Sequence, residues 1–269
     1  MADRSGKPLE DLFVEFDSSQ LRVRTDAAEV RDYLAGAFEH MLSAPSARSI
    51  GELHILRSGE GYAIADGRRL EFRGIAASDL LPVLKDEVRV RFMRSRPDLL
   101  WLHAGAVERG GAALLISGPS GQGKSTMTTL LCERGWRLLS DDIAPVRMDA
   151  DEVIPFPQSP LRRVHPGREI QPDAVSTLAK QGVAIAASMV RRTAAPIKAL
   201  VFVAYGQADG LVPIPRGSAA MEILKNSTNF IDHKGAAVDR AAEIARRVPA
   251  YRLSYLTAIE AVVAVHDLW

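Results

Sequence analysis

Residues 118–125 read Gly118-Pro119-Ser120-Gly121-Gln122-Gly123-Lys124-Ser125. An apolar run, Ala112-Ala113-Leu114-Leu115-Ile116-Ser117, leads in, and a segment of helical periodicity leads out towards Arg134. Glycine tolerates backbone torsions that a side chain forbids, so successive N–H groups of such a loop can turn inward as a cup for an anion. The helix that follows directs its positive end at the same point. Strand, loop and helix together predict an α/β fold and a loop for nucleotide phosphates. In such a loop Lys124 reaches the β- and γ-phosphates and the Ser125 hydroxyl ligates Mg²⁺. ATP and Mg²⁺ are therefore the expected cofactors, with Gly118, Pro119, Ser120, Gly121, Gln122, Gly123, Lys124, Ser125 and Thr126 as the binding residues.

The 269 residues suffice for a main domain with a smaller companion. Residues 1–95 read as a small N-terminal α/β module and residues 96–269 as the phosphate-loop domain. In the first, strands are expected at Leu12 to Phe16 and Leu21 to Arg24, around Leu53 to Leu56, at Tyr62 to Ile64 and after Asp66-Gly67. Helices are expected from Val30 to Leu42 and from Ser78 to Met93. In the second, Leu100 to Glu108 reads as one strand that turns at Arg109-Gly110-Gly111 into Ala112 to Ser117. Gly135 ends the loop's helix, and Trp136 to Ser140 is a strand. Further strands lie at Ile197 to Tyr205 and Tyr251 to Tyr255, with helices at Ser218 to Lys225, Val238 to Arg247 and Ile259 to His266.

Thirty-four Lys and Arg face 33 Asp and Glu, a net charge of +1, which gives no electrostatic ground for a nucleic-acid or membrane partner. The single cysteine, Cys132, makes an intramolecular disulfide impossible and suits a reducing compartment. The start of the chain carries no signal-peptide pattern, and no apolar run approaches the ~20 residues of a membrane span. A cytoplasmic location is expected.

Asp141 and Asp142 end the strand after the loop's helix. Ligands of open α/β sheets sit beyond the carboxyl ends of parallel strands, so both carboxylates are expected beside the terminal phosphate. One, with Ser125, holds Mg²⁺; the other takes the proton of an attacking hydroxyl. Spacing leaves the assignment open, with Ser125 and Asp141 the candidate metal ligands. His103 is placed by the hairpin. A turn at Gly110-Gly111 sets it opposite Gly118, and a turn at Arg109-Gly110 sets it opposite Ile116. Either register brings the imidazole near the loop, where it handles phosphate or proton or is a structural histidine. Asp142, Asp141, His103 and Lys124 are thus the expected catalytic residues.

His103-Ala104-Gly105, the loop, and Arg134-Gly135-Trp136-Arg137-Leu138-Leu139-Ser140-Asp141-Asp142 together resemble the catalytic domain of the HPr kinase/phosphorylase family. Asp142 follows Lys124 by 18 residues, as in that pattern. The family's downstream Glu-x-Arg-Gly-Leu-Gly-like segment has no copy here, and the N-terminal module is short. Leu224 to Phe230 and Tyr251-Arg252-Leu253 look more like the HPr kinase-related and lasso-peptide kinase branch. The resemblance implies a fold akin to phosphoenolpyruvate carboxykinase and Mg²⁺-dependent transfer from ATP to a Ser or Thr hydroxyl of a peptide or small protein. A small-metabolite kinase and a nucleotide-binding switch without an acceptor are the rival readings. Homo-oligomerisation is not encoded in the motif.

Other residues have two readings each. Arg162, Arg163, His165 and Arg168, in a proline-rich loop, close over phosphates or dock an acidic peptide, or are simply solvated. Arg191 and Arg192 stabilise transferred charge or lie on the surface. Asn226 and Asn229 bind the acceptor or cap and turn the chain, and the cap is the favoured reading. Cys132 reads as a small core residue.

Overall fold

The computed structural model describes residues 9–67, 69–163, 180–206 and 208–269. It is a mixed α/β protein whose chain divides into two compact units, Met1–Arg96 with Leu161–Gly182, and Pro97–Pro160 with Val183–Trp269. The second unit is therefore not one continuous stretch: Leu161–Gly182 groups with the first.

In the first unit, β1 (Glu10–Phe16) and β2 (Ser19–Thr25) form a hairpin. Its tight turn puts Asp17 and Ser18 at φ 45° and 65°, left-handed torsions that suit a two-residue hairpin loop. Helix α1 (Ala28–Ala37) carries the chain across to β3 (Ser49–Ser58), which pairs parallel with β2. β4 (Gly61–Asp66) and β5 (Arg69–Ile75) complete a five-stranded sheet in sequence order, and α2 (Ala77–Ser95) follows. The first helix stops before Leu42 and gives way to one short turn of 3₁₀ helix over Glu39–Met41. β12 (Leu161–Arg163) pairs with β13 (Lys180–Gly182).

The second unit is built on one large sheet. Its elements are β6 (Leu99–Leu102), β7 (Ala104–Arg109), β8 (Ala112–Ser117), α3 (Lys124–Glu133), β9 (Arg137–Ser140), β10 (Ala144–Arg147) and β11 (Glu152–Val153). They continue with β14 (Ala195–Tyr205), β15 (Gly210–Pro213), α4 (Arg216–Lys225), the short α5 (Phe230–His233), α6 (Gly235–Arg247), β16 (Ala250–Tyr255) and α7 (Ala258–His266). The strands run β6-β10-β11-β14-β8-β7-β9, with β16 also on β14 and β15 on β16. β8, β14 and β16 are mutually parallel. β7 is antiparallel to both β8 and β9, so β9 ends at the same edge of the sheet as β8.

Alternation along β8 explains why both faces are covered. Leu114 and Ile116 pack with Met127, Leu131, Trp136, Val262 and Val265, on the side of α3 and α7. Ala113 and Leu115 pack with Ile223, Ala241 and Ile244, on the side of α4 and α6. A strand buried on both faces is apolar throughout, which is why β8 shows no polar alternation in the sequence.

The long strand expected from Leu100 to Glu108 is two strands, broken at His103. β6 pairs with β10, Leu102 opposite Ala144, while β7 pairs with β9, Ala106 opposite Ser140. The two halves follow one antiparallel register, and His103 stands in its gap across from the Asp141 to Ile143 corner. The break has a physical cause: the His103 N–H donates to the Asn226 carbonyl at 2.7 Å, away from the sheet.

Among the described residues no helix is long and apolar enough to cross a membrane.

Candidate functional site

The site is assembled at the edge where β8, β9, β14 and β16 all end. The hairpin takes the Gly110-Gly111 turn, with Arg109 opposite Ala112 and Ala104 opposite Ser117. This is the register that sets His103 beside Gly118, and the Ser117 hydroxyl donates to the His103 carbonyl at 2.9 Å.

The loop itself rests on three glycines in left-handed or mirror-extended torsions, Gly118 at φ 150° and Gly121 and Gly123 at 84°. Two are also forced by proximity. A Cβ on Gly118 would stand 2.8 Å from the Val203 carbonyl of β14, and one on Gly123 would collide with the Tyr255 hydroxyl. Helix α3 starts at Lys124, directly after the loop. The Lys124 ammonium bends back to donate to the Gly118 and Pro119 carbonyls at 2.6 and 3.0 Å, so it closes the cup from within. Burial lowers its pKa, partly opposed by the charges of Asp142 and Asp141. Ser120 in the loop and Thr126 in the first turn of α3 are exposed.

Next to the loop, the Ser125 hydroxyl donates to Asp141 Oδ2 at 2.9 Å. Asp141 is wholly buried. Asp142 differs in every respect: its backbone is left-handed at φ 72° and its side chain keeps 31% of its surface. Such a torsion on a non-glycine costs about 1–3 kcal/mol and persists only where surroundings impose it. Here the Ser140 hydroxyl packs against the Ile143 and Phe156 carbonyls, 2.8 Å to the latter, and fixes the corner from below. His103 Nδ1 lies 3.0 Å from the Asp142 carbonyl and 3.3 Å from its Oδ1. A carbonyl only accepts, so Nδ1 carries the proton in this arrangement.

All the residues expected to act together are thus brought within one corner: Gly118 to Thr126, His103, Asp141 and Asp142. Others go elsewhere. Arg191 donates its backbone N–H to Leu138 and lies by Glu108, at the far end of β7 from Ala104. Asn226 bonds the Glu222 carbonyl through its amide, capping α4, and Asn229 accepts from Trp101 N–H and donates to the Leu99 carbonyl. Asn226 thus caps α4, whereas the Asn229 side chain makes no cap hydrogen bond and serves β6 instead. Cys132 is buried, and burial pushes its thiol up to about 12, so it is no nucleophile at neutral pH. His165 and Arg168 lie outside the described residues, as do the side chains of Arg162 and Arg163.

The roles of three residues that shape this corner, Gly105, Tyr255 and Tyr205, escaped sequence reasoning. Gly105 has no side chain because a Cβ would strike the Thr128 hydroxyl and stand 3.9 Å from Asp141 Oδ1; it lets α3 approach β7. Tyr255 donates to the Gln122 carbonyl at 2.5 Å. Gln122 Oε1 in turn accepts from the Tyr205 N–H at 2.6 Å. The available signal was the direction of the strands at Ile197 and Tyr251, which, if parallel to β8, put their terminal tyrosines at the loop.

Could this corner hold a metal? The Ser125–Asp141 pair is a hard-oxygen donor set of the kind Mg²⁺ takes, one or two protein groups beside phosphate oxygens. Among the described residues no group of three or more His, Cys, Asp or Glu could hold a metal by itself.

Comparison with known proteins adds the following. The family described as SynChlorMet cassette protein ScmC matches residues 84–260. No curated protein matches the chain. Among solved structures, the chain is similar to the Hpr(Ser) kinase/phosphatase from Coxiella burnetii at 13% identity and a TM-score of 0.33, over 62% of this chain and 96% of that one. A likeness at that score carries no argument about activity. The family match is to ScmC and not to an HPr kinase family, so the expected assignment to an HPr kinase-like branch narrows to a likeness of motifs.

Proposed function

The chain belongs to the ScmC family, and from the geometry of its loop and aspartates we propose that it is an ATP- and Mg²⁺-dependent phosphotransferase. The acceptor is a Ser or Thr hydroxyl of a peptide or small protein. One observation carries the reading: a buried aspartate bonded to the hydroxyl after the loop lysine, with an accessible aspartate next to it in sequence.

Burial divides the work between the two acids. Asp141, buried and bonded to Ser125, would join that hydroxyl in holding Mg²⁺. Asp142, open to solvent, is the one an acceptor can reach, and its carboxylate takes the hydroxyl proton as the acceptor oxygen bonds to the γ-phosphorus and ADP leaves. His103 holds Asp142 in its left-handed turn through Nδ1. Lys124 and the loop N–H groups grip the triphosphate. Bound there, Mg²⁺ would neutralise phosphate charge and orient the terminal group. Most of the rate gain in such transfers comes from positioning and electrostatics.

Calorimetry with MgATP and transfer to hydroxyl-bearing peptides test the scheme. Asp142→Asn should bind MgATP as the parent does and lose transfer by about 10²-fold or more. Asp141→Asn should lose the Mg²⁺ dependence of binding. Undiminished transfer by Asp142→Asn, or transfer only to small metabolites, would refute the corresponding part.

A further inference from the structure

We propose that the hollow between β15, the end of β16 and α7 receives the nucleoside of the bound triphosphate, with Tyr205, which packs on the Tyr255 that lines it, as the ring on which the base stacks. The proposal rests on the reading of the loop as a triphosphate site and names where the rest of that ligand lies.

Three observations point there. The first is direction. The acidic corner, Asp141, Asp142 and His103, lies on the β7–β9 flank of the loop strand, while β14 and β16 lie on the other flank. A triphosphate whose terminal group meets Ser125 and Asp141 therefore runs its other end towards β14 and β16, whose carboxyl ends share the loop's edge.

The second is a cavity. A hollow of about 370 Å³ opens beyond β16, lined by Gly210, Leu253, Tyr255, Leu256, Glu260 and Ala264. It is within the roughly 300–1,000 Å³ typical of small-molecule sites. Its lining is mainly apolar with one carboxylate, and Glu260 is held by accepting from the Leu256 and Thr257 N–H groups at the start of α7.

The third is continuity between loop and cavity. Tyr255 lines the cavity and donates its hydroxyl to Gln122 of the loop. Tyr205 meets the Tyr255 ring edge to face, centroids 5.7 Å apart, and its backbone N–H is held by the Gln122 side chain. Yet 60% of Tyr205 remains exposed. An aromatic ring pinned by its backbone beside the loop and largely exposed can serve as a stacking platform for a planar base.

The test compares MgATP with magnesium tripolyphosphate, which has the phosphates and no nucleoside. Tyr205→Ala removes the platform and keeps its backbone N–H; Ala264→Leu fills the hollow from α7. The expected result is that each variant binds MgATP about ten-fold or more weakly while binding tripolyphosphate as the parent does. Equal affinities of parent and variants for MgATP would overturn the nucleoside site and leave the loop reading intact. So would a parallel loss of both ligands, since that reports a damaged loop. Failure of the parent protein to bind either ligand would overturn the loop reading, and this proposal with it.

Discussion

Tyr255 and Gly123 constrain one another more tightly than any other pair at the loop. The tyrosine hydroxyl occupies the space of the missing Cβ, and Gly123 also sits at φ 84°. Gly123→Ala therefore meets two penalties, a left-handed torsion of about 1–2 kcal/mol and the collision with the hydroxyl. In a Tyr255→Phe background the collision goes and the torsion stays. Urea denaturation of the single and double variants should show a favourable coupling of about 1 kcal/mol or more; strict additivity would mean that the tyrosine does not crowd the loop. Asp142 stores strain of the same kind, but its neighbours hold it for a different reason, since that torsion swings its carboxylate out of the sheet and beside His103. Glycines at 118, 121 and 123 were visible as a motif from the sequence. Gly105 entered only with the motif around His103, and the reason for it was hidden, because its constraint comes from Thr128, 23 positions further along the chain.

At the scale of elements, the break between β6 and β7 matters most. It is produced by the turn after α4, which lies along β6: Leu102 bridges Ser227, Thr228 N–H donates to the Trp101 carbonyl at 2.8 Å, and Asn229 serves both Trp101 and Leu99. Asn229 thus acts as an edge strand in miniature, accepting from the Trp101 N–H and donating to the Leu99 carbonyl, which His233 Nε2 also approaches at 3.1 Å. Asn229→Ala should destabilise the protein by about 1–3 kcal/mol, as the buried Trp101 N–H loses its side-chain acceptor. The Trp101 amide should then exchange with deuterium much faster, relative to amides of β8. Unchanged exchange at Trp101 would show that something other than Asn229 holds this edge. Period-2 and period-3.6 patterns placed β8, α3, β9, β14, α4, α6, β16 and α7 in advance, but not β10, β11, β15 or α5. They missed the break because the run from Leu99 to Val107 is apolar without interruption except at His103, and a single polar residue does not distinguish a kink from a strand position.

For the whole molecule, stability at low pH should depend on the far end of β7. Burial by itself would raise the Glu108 carboxyl, but Arg137, the Gly111 N–H and the charge of Arg191 outweigh it and hold the group below its ordinary value of 4.5. Its side chain is wholly buried against Arg137, 2.5 Å away. A folded-state pKa that is depressed contributes stability above the unfolded value, and that contribution is lost as pH falls through the folded one. Melting temperature should therefore drop more steeply below about pH 4.5 in the parent than in Glu108→Gln, which starts lower at neutral pH; parallel curves would remove Glu108 from the acid response. The glycine-rich loop and the order of its neighbours follow from local chemistry, since glycine torsions, helix periodicity and strand alternation all act within a few residues. Which side of the sheet each strand joins was settled only by packing. β14 and β16, distant in sequence from the loop, come to lie beside it because their apolar faces are completed by α3 and α7 on one side and α4 and α6 on the other. Only that arrangement brings Tyr205 and Tyr255 to Gln122, and separates a buried Asp141 from an accessible Asp142, because burial is a property of neighbours that no short stretch of chain contains.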